Sequence, residues 1–303
     1  MLAATVLAAP ASAAPGQPAE PAAARRGVIN VPCSTASLNA AINTANNMNS
    51  ATLQLSWFCT YRIVTPAVPS SGLPRITGNI ALVGGLGTKI RRDLSAPTNF
   101  RIIDVGDDAR LQGTGLSIEN GKDATGGGIL NAGKVELTDV TLSGNTATTA
   151  DGGGLANGSA DAEAVISRSV IRDNTAAGGG GIANSGTAKI TGSRITANTS
   201  PTGGGGGILT EQNATTTIAD TIMEYNTVAF GGAGILNFGA TSLDQVLITQ
   251  NRNSPANAFP GGGIYNVTEN ISPPGTVTAT RSTIWLNQPD NCHPAGTIPG
   301  CAA

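Results

Sequence analysis

The sequence predicts an all-β chain folded as a right-handed parallel β-helix, a solenoid of about eight or nine coils with a short capping helix at its N-terminal end. Three observations carry this prediction. A glycine-rich box recurs: GGGILN at 126–131, GGGLAN at 152–157, GGGIAN at 179–184, GGGILT at 205–210, GAGILN at 232–237 and GGGIYN at 261–266. Its first aliphatic residue falls at Ile129, Leu155, Ile182, Ile208, Ile235 and Ile264, at intervals of 26 to 29 residues. Between these boxes lies a second one, an aliphatic residue, two variable residues and Asn: LSGN (142–145), IRDN (171–174), ITAN (195–198), MEYN (223–226) and ITQN (248–251). Ahead of each Asn box the chain alternates apolar and polar residues, as in Val135–Leu142 and Ala188–Ile195, which is the period of a strand. One such unit cannot bury its own apolar side, but stacked units share a narrow continuous core.

In chain order, residues 1–26 read as a signal peptide and linker. Leu2–Ala9 is a short apolar stretch, Ala11-Ser12-Ala13 resembles a cleavage site, and Ala and Pro dominate up to Arg26. The usual basic start is missing, so the natural start is expected upstream. Residues 27–62 are expected to cap the solenoid. Leu38, Ala41, Ile42 and Ala45 mark one face of a helix over 34–46, and Thr52–Cys59 alternates as a first strand. Residues 63–287 form the β-helix, with Ile76–Ile90 and Phe100–Gly113 as early coils. Leu116–Asn120 is an early Asn box and Ile284–Asn287 a late one. Asn120, Asn145, Asn174, Asn198, Asn226 and Asn251 are expected to stack as a side-chain amide ladder. The Pro/Gly-rich tail 288–303 closes the far end.

Composition narrows the function. Of 303 residues 41 are glycine, about twice the usual share, and 17 cations against 19 carboxylates leave a net charge of −2. No basic surface is present to neutralise a nucleic-acid backbone, and no run of 18 apolar residues could span a membrane as a helix. The four cysteines lie in pairs near the two ends. Three pairings are possible; Cys33–Cys59 with Cys292–Cys301 is the expected one, fitting an exported, extracellular or cell-surface protein. The glycine runs lack the Lys-Ser/Thr of a phosphate cradle and read as turns.

The paired boxes resemble the polymorphic outer membrane protein repeat and, more broadly, the pectate-lyase-like superfamily of β-helix proteins, over about residues 60–287. The first resemblance implies a surface adhesin. The second implies either a binding scaffold or an enzyme on acidic polysaccharides. The residue sets of the enzymes are not recognisable here. The polygalacturonase set includes a Gly-His-Gly, and the one histidine, His293, lies in the tail. The pectate-lyase pattern implies clustered carboxylates holding Ca²⁺; Asp104, Asp107 and Asp108 are the densest acidic group and the one weak metal candidate.

Aligning the coils on the Asn column yields the remaining candidates. Two residues before Asn stand Ser143, Arg172, Thr196, Glu224, Thr249 and Trp285. Arg172, Glu224, Tyr225 and Trp285 are the candidate glycan-binding face, with the two aromatics as stacking platforms. Six residues before Asn, Asp139 and Arg168 are placed to pair across neighbouring coils. The leading expectation is a secreted, monomeric, non-catalytic protein that binds polysaccharide or a cell-surface protein without a cofactor. The alternatives are a polysaccharide lyase or glycoside hydrolase, for which Ca²⁺ would matter, and a structural scaffold without a ligand.

Overall fold

The computed structural model describes residues 27–253 and 260–301. The signal-peptide and linker segment, 1–26, lies outside the described residues. The chain is a parallel β-solenoid of about nine turns. Its first face is a sheet of ten strands running from Gly27–Val31 to Thr276–Thr280. The second has nine, from Thr60–Ile63 to Thr283–Trp285, and the third eight, from Ile103–Val105 to Cys292–His293. Two short ladders line the edge between the second and third faces; one pairs Thr199–Ser200, Thr227–Val228 and Arg252–Asn253.

The glycine-box aliphatics stack as the spacing predicts. Ile129, Leu155, Ile182, Ile208, Ile235 and Ile264 are direct register partners along the third face, and none has measurable exposure. On the other faces the inward rows are also aliphatic, for example Leu137, Ile166, Ile190, Ile218 and Leu243. The core is thus a column of stacked aliphatic layers.

Each regular coil turns three corners through the left-handed region. Asp139, Arg168, Gly192, Asp220, Gln245 and Arg281 occupy the first, and Asp173, Ala197, Tyr225, Gln250 and Leu286 the second, all with φ between 46° and 57°. At these corners the side chain leaves the coil, so residues other than glycine are accepted at roughly 1–2 kcal/mol each. The third corner is different. Gly205 has φ +70°, and a Cβ there would stand 2.6 Å from the Ile208 carbonyl oxygen. That crowding, repeated in each box, is why this corner reads as glycine.

The helix is Thr35–Asn47, capped by Ser34, whose hydroxyl accepts from the Ser37 backbone N–H at 3.1 Å. Leu38, Ala41, Ile42 and Ala45 are its buried face, as their spacing predicts. The expected first strand is corrected. Gly27–Val31 comes first and pairs in parallel with Ser50–Leu55, and the helix is the crossover between them. Thr52–Cys59 does not run through as one strand, because Phe58 (φ 52°) turns the corner to Thr60–Ile63. Both expected disulfides form, Cys33–Cys59 and Cys292–Cys301. Cys292–His293 extends the third face against Ile264–Tyr265, and Ile298 of the tail is buried. Among the described residues no helix is long and apolar enough to cross a membrane.

Candidate functional site

The site is built around the asparagine column. Each Asn Nδ2 donates to the Oδ1 of the next coil: Asn145 to Asn174, Asn174 to Asn198 and Asn198 to Asn226 at 3.0 Å, then Asn226 to Asn251 and Asn251 to Asn287 at 2.9 Å. Each acceptor oxygen also takes the backbone N–H of the Asn before it, as Asn198 Oδ1 does from Asn174 at 3.1 Å. Asn120 is corrected out of this ladder. Its position in the column belongs to Gly121, whose N–H donates to Asn145 Oδ1 at 2.9 Å. Ile118 is the register partner of Leu142, so the column falls three residues on at 121, and Asn120 (φ 61°) takes the corner before it.

A second ladder uses the Asn that closes each glycine box. Asn131 donates to Asn157 at 2.7 Å, Asn157 to Asn184 at 2.8 Å and Asn237 to Asn266 at 2.7 Å. Thr210 interrupts it, and Asn184 turns to the Thr216 hydroxyl at 3.0 Å. The signal was present in all six boxes, as five Asn and one Thr in the same place. The Asn-x-Thr/Ser sequences at Asn157 and Asn266 are buried in this ladder, their amides already used.

The regularity of the first ladder places a trough of about 450 Å³ on the C-terminal coils. Tyr225, Gln250 and Leu286 each precede a ladder Asn and stand at the second, outward-turned corner. Thr227 and Arg252 each follow one and are register partners, and Gln288 bridges to Arg252. Two parallel rows of side chains therefore flank the ladder, each residue one strand spacing, about 4.8 Å, from the next. Tyr225, Leu286 and the neighbouring Trp285 are each about half exposed. Arg252, also exposed, is the trough's charged lining residue.

Arg172, Thr196, Glu224, Thr249 and Trp285 do form one register row. Its charges are already matched: Arg172 pairs with Asp173, and Glu224 is buried against Arg194. Of the four glycan-face candidates, the structure brings Tyr225 to the trough, leaves Trp285 exposed on the second face beside it and holds Arg172 and Glu224 in local ion pairs. Asp139 and Arg168 pair across adjacent coils at 2.9 Å.

The acidic candidates do not assemble. Asp104 lies 3.5 Å from both Arg75 and Arg101, while Asp107 and Asp108 face solvent in the following turn. Among the described residues no group of three or more His, Cys, Asp or Glu is placed to hold a metal. His293 packs its ring 5.1 Å from Tyr265.

Asp151 and Glu211 form a pair that the sequence does not signal. They flank the outer row of the third face, where Ala156, Ala183 and Leu209 are buried. Burial raises the Asp151 carboxyl above its ordinary range, against a hydrogen bond from the Gly178 N–H. Burial also raises Glu211, and repulsion from Asp151 adds to it. One residue precedes a glycine box and the other follows the box two coils later, so only the stacking brings them into range. Comparison with protein-family models, curated proteins and solved structures finds no match to this chain.

Proposed function

We propose that this is an exported, non-catalytic β-helix protein that binds polysaccharide through the C-terminal trough. The observation carrying the reading is the pair of rows Tyr225–Gln250–Leu286 and Thr227–Arg252–Gln288 on either side of the asparagine ladder. A half-exposed ring and an aliphatic side chain present flat apolar surface to sugar C–H faces. The amides and hydroxyl supply hydrogen bonds, and Arg252 suits a carboxylate or sulfate on the polymer. The solenoid repeats this chemistry at an even spacing, which suits an extended chain better than a compact ligand. The two disulfides fit an oxidising compartment and support export. The superfamily and adhesin resemblance belongs to this reading and rests on the repeat boxes themselves.

Affinity electrophoresis in gels cast with polygalacturonate, alginate or hyaluronan tests it. Retardation by at least one of these polymers, relieved by Tyr225→Ala and by Arg252→Ala, is the expected result. No retardation by any of them would overturn the trough as a polysaccharide site.

A second reading has a specific observation in its favour. Asp151 and Glu211 are two half-buried carboxyls, and the Asp151 charge disfavours ionisation of Glu211; a glycoside hydrolase needs such a pair, one protonated to donate and one ionised to activate water. Reducing-end release from the same polymers, abolished by Asp151→Asn or Glu211→Gln, would move the assignment to that enzyme class.

A further inference from the structure

The opposite end of the solenoid carries a second aromatic feature that the trough does not use. Trp57 stands at the corner between the first and second faces and is 62% exposed. One side of its indole lies on Gly85, where a Cβ would come within 2.4 Å of the ring. The corner is held from several directions. The Thr88 hydroxyl donates to the Ser56 carbonyl at 3.0 Å and accepts from the Gly85 N–H at 3.1 Å. The Phe58 N–H donates to the Leu86 carbonyl at 2.8 Å, and the Cys33–Cys59 disulfide ties the next residue to the chain beyond Pro32. Trp57 is therefore oriented before any ligand arrives, which lowers the cost of ordering it on binding.

Beside the ring is a depression of about 380 Å³. Asn30 and Gln54, direct register partners on adjacent strands, supply two amides to it, with one Gln54 N–H donating to the Val83 carbonyl at 3.3 Å. Ser56 supplies a hydroxyl that donates to the Val31 carbonyl at 3.0 Å and offers its oxygen as an acceptor. None of the residues lining it is charged. An aromatic wall over amide and hydroxyl groups, without a charge, matches a ligand with an apolar face and a ring of neutral hydroxyls.

We propose that this depression is a second carbohydrate subsite, specific for a neutral pyranose, with Trp57 as the stacking platform and Asn30 and Gln54 as hydrogen-bonding partners. It differs from the trough in the charge it accepts and does not rest on the trough's function. The two lie six to eight strand spacings apart along the solenoid, roughly 29–38 Å, at neighbouring corners, so one polymer with both neutral and acidic stretches can engage both and gain avidity.

The chain contains two tryptophans, Trp57 and Trp285, so each can be read alone. In the full-length Trp285→Phe protein, emission from Trp57 is titrated with the neutral hexaoses of cellulose, laminarin, xylan, mannan and chitin. A saturable change with at least one of them is expected. Gln54→Ala in the same background should weaken it by about tenfold or more, as for loss of a contact beside an aromatic anchor, with the far-UV circular dichroism unchanged. Trp57→Ala should abolish calorimetric binding of that hexaose and leave retardation by acidic polymers intact, so failure here is separable from failure of the trough. The proposal is overturned if no hexaose gives a saturable change, or if Gln54→Ala leaves affinity unaltered. It is also overturned if phosphatidylglycerol vesicles shift the emission and the sugars do not, which would assign exposed Trp57, Phe58 and Leu86 to a lipid surface.

Discussion

At the turn that leaves the second face, the early coils rely on Arg92 and Asp93, while the glycine-rich coils rely on a file of asparagines. Arg92 Nη2 donates to the Ala96 carbonyl at 3.1 Å and the Thr98 carbonyl at 2.9 Å, and its guanidinium lies over Phe100 at 5.3 Å. Asp93 takes Arg62 on one side and the Ser95 N–H and hydroxyl on the other. Beyond residue 124 the same task, satisfying buried corner amides, falls to one short side chain per coil. The difference follows from coil regularity. A ladder of Asn works when each coil puts its amide at the same height and angle. The early loops differ in length, so only long or charged side chains reach across them. The bore shows the same contrast, with Tyr61 and Phe100 buried in the early coils and aliphatics thereafter.

If this contrast is right, the ladder should be the more brittle device. Asn198→Ala leaves the Asn174 N–H and Nδ2 without their shared acceptor and takes one donor each from the Ile171 carbonyl and Asn226 Oδ1, the latter keeping only the residue-198 backbone N–H. A loss of about 3–5 kcal/mol in urea unfolding is expected from several buried groups left unsatisfied together. A loss below that of Arg92→Met would break the comparison.

The end staples come next. On loop-closure entropy, opening Cys33–Cys59 (separation 26) should cost about 3.5 kcal/mol and opening Cys292–Cys301 (separation 9) about 2.6 kcal/mol. Cys-to-Ser pairs compared by thermal melting should rank in that order.

The corners separate at a smaller scale. Gly205→Ala meets both a left-handed φ and the Ile208 carbonyl, for about 2–3 kcal/mol. Gly115→Ala has an equally left-handed φ of +64°, but its nearest neighbour is 3.7 Å away, for about 1 kcal/mol. Equal losses by differential scanning fluorimetry would mean that strain alone, and not crowding, selects glycine at the third corner.

The smallest effect is pH dependence, and it has opposite signs in the two regions. Arg62, then Ser95, holds the Asp93 carboxyl well below its usual range. The stability this pairing contributes is present above the unfolded value of about 4 and is lost as pH falls through the lower folded value. Asp151 and Glu211 are raised, so their charged forms are disfavoured in the folded coil. Stability is therefore gained as pH falls through their folded values towards about 4. Urea midpoints from pH 7 to 3 should show the gain vanish in Asp151→Asn/Glu211→Gln and the acid loss shrink in Asp93→Asn.

Much of this architecture is legible in the residues. Ile129 through Ile264 announce a stacked row because a solenoid repeats one environment at a fixed interval. Leu38, Ala41, Ile42 and Ala45 announce a helix because their period is local. Asn120 misleads because an Asn near the end of an Ile-containing stretch looks like the column, although the register counts from Ile118. Gly27–Val31 escapes because five residues beside an Ala/Pro linker carry little alternation, and its partner, Ser50–Leu55, lies across a whole helix.

For the candidate site the division is sharper. Tyr225 and Trp285 can be aligned on paper, since both sit at fixed offsets from the Asn box. That Glu224 is neutralised by Arg194, or that Thr227, Arg252 and Gln288 form the opposite bank, depends on which side each short strand presents.

By itself the sequence determined the coil, its period, its glycine corner and its cap helix, because each is a local or strictly periodic property. Only the tertiary structure decided which side chains stand together: Asp151 with Glu211, Trp57 with Asn30 and Gln54, Tyr225 with Leu286. Apart from Gln54, which lies three residues before Trp57, those neighbours are separated by one or more whole coils, and their meeting depends on the summed register of every strand between them.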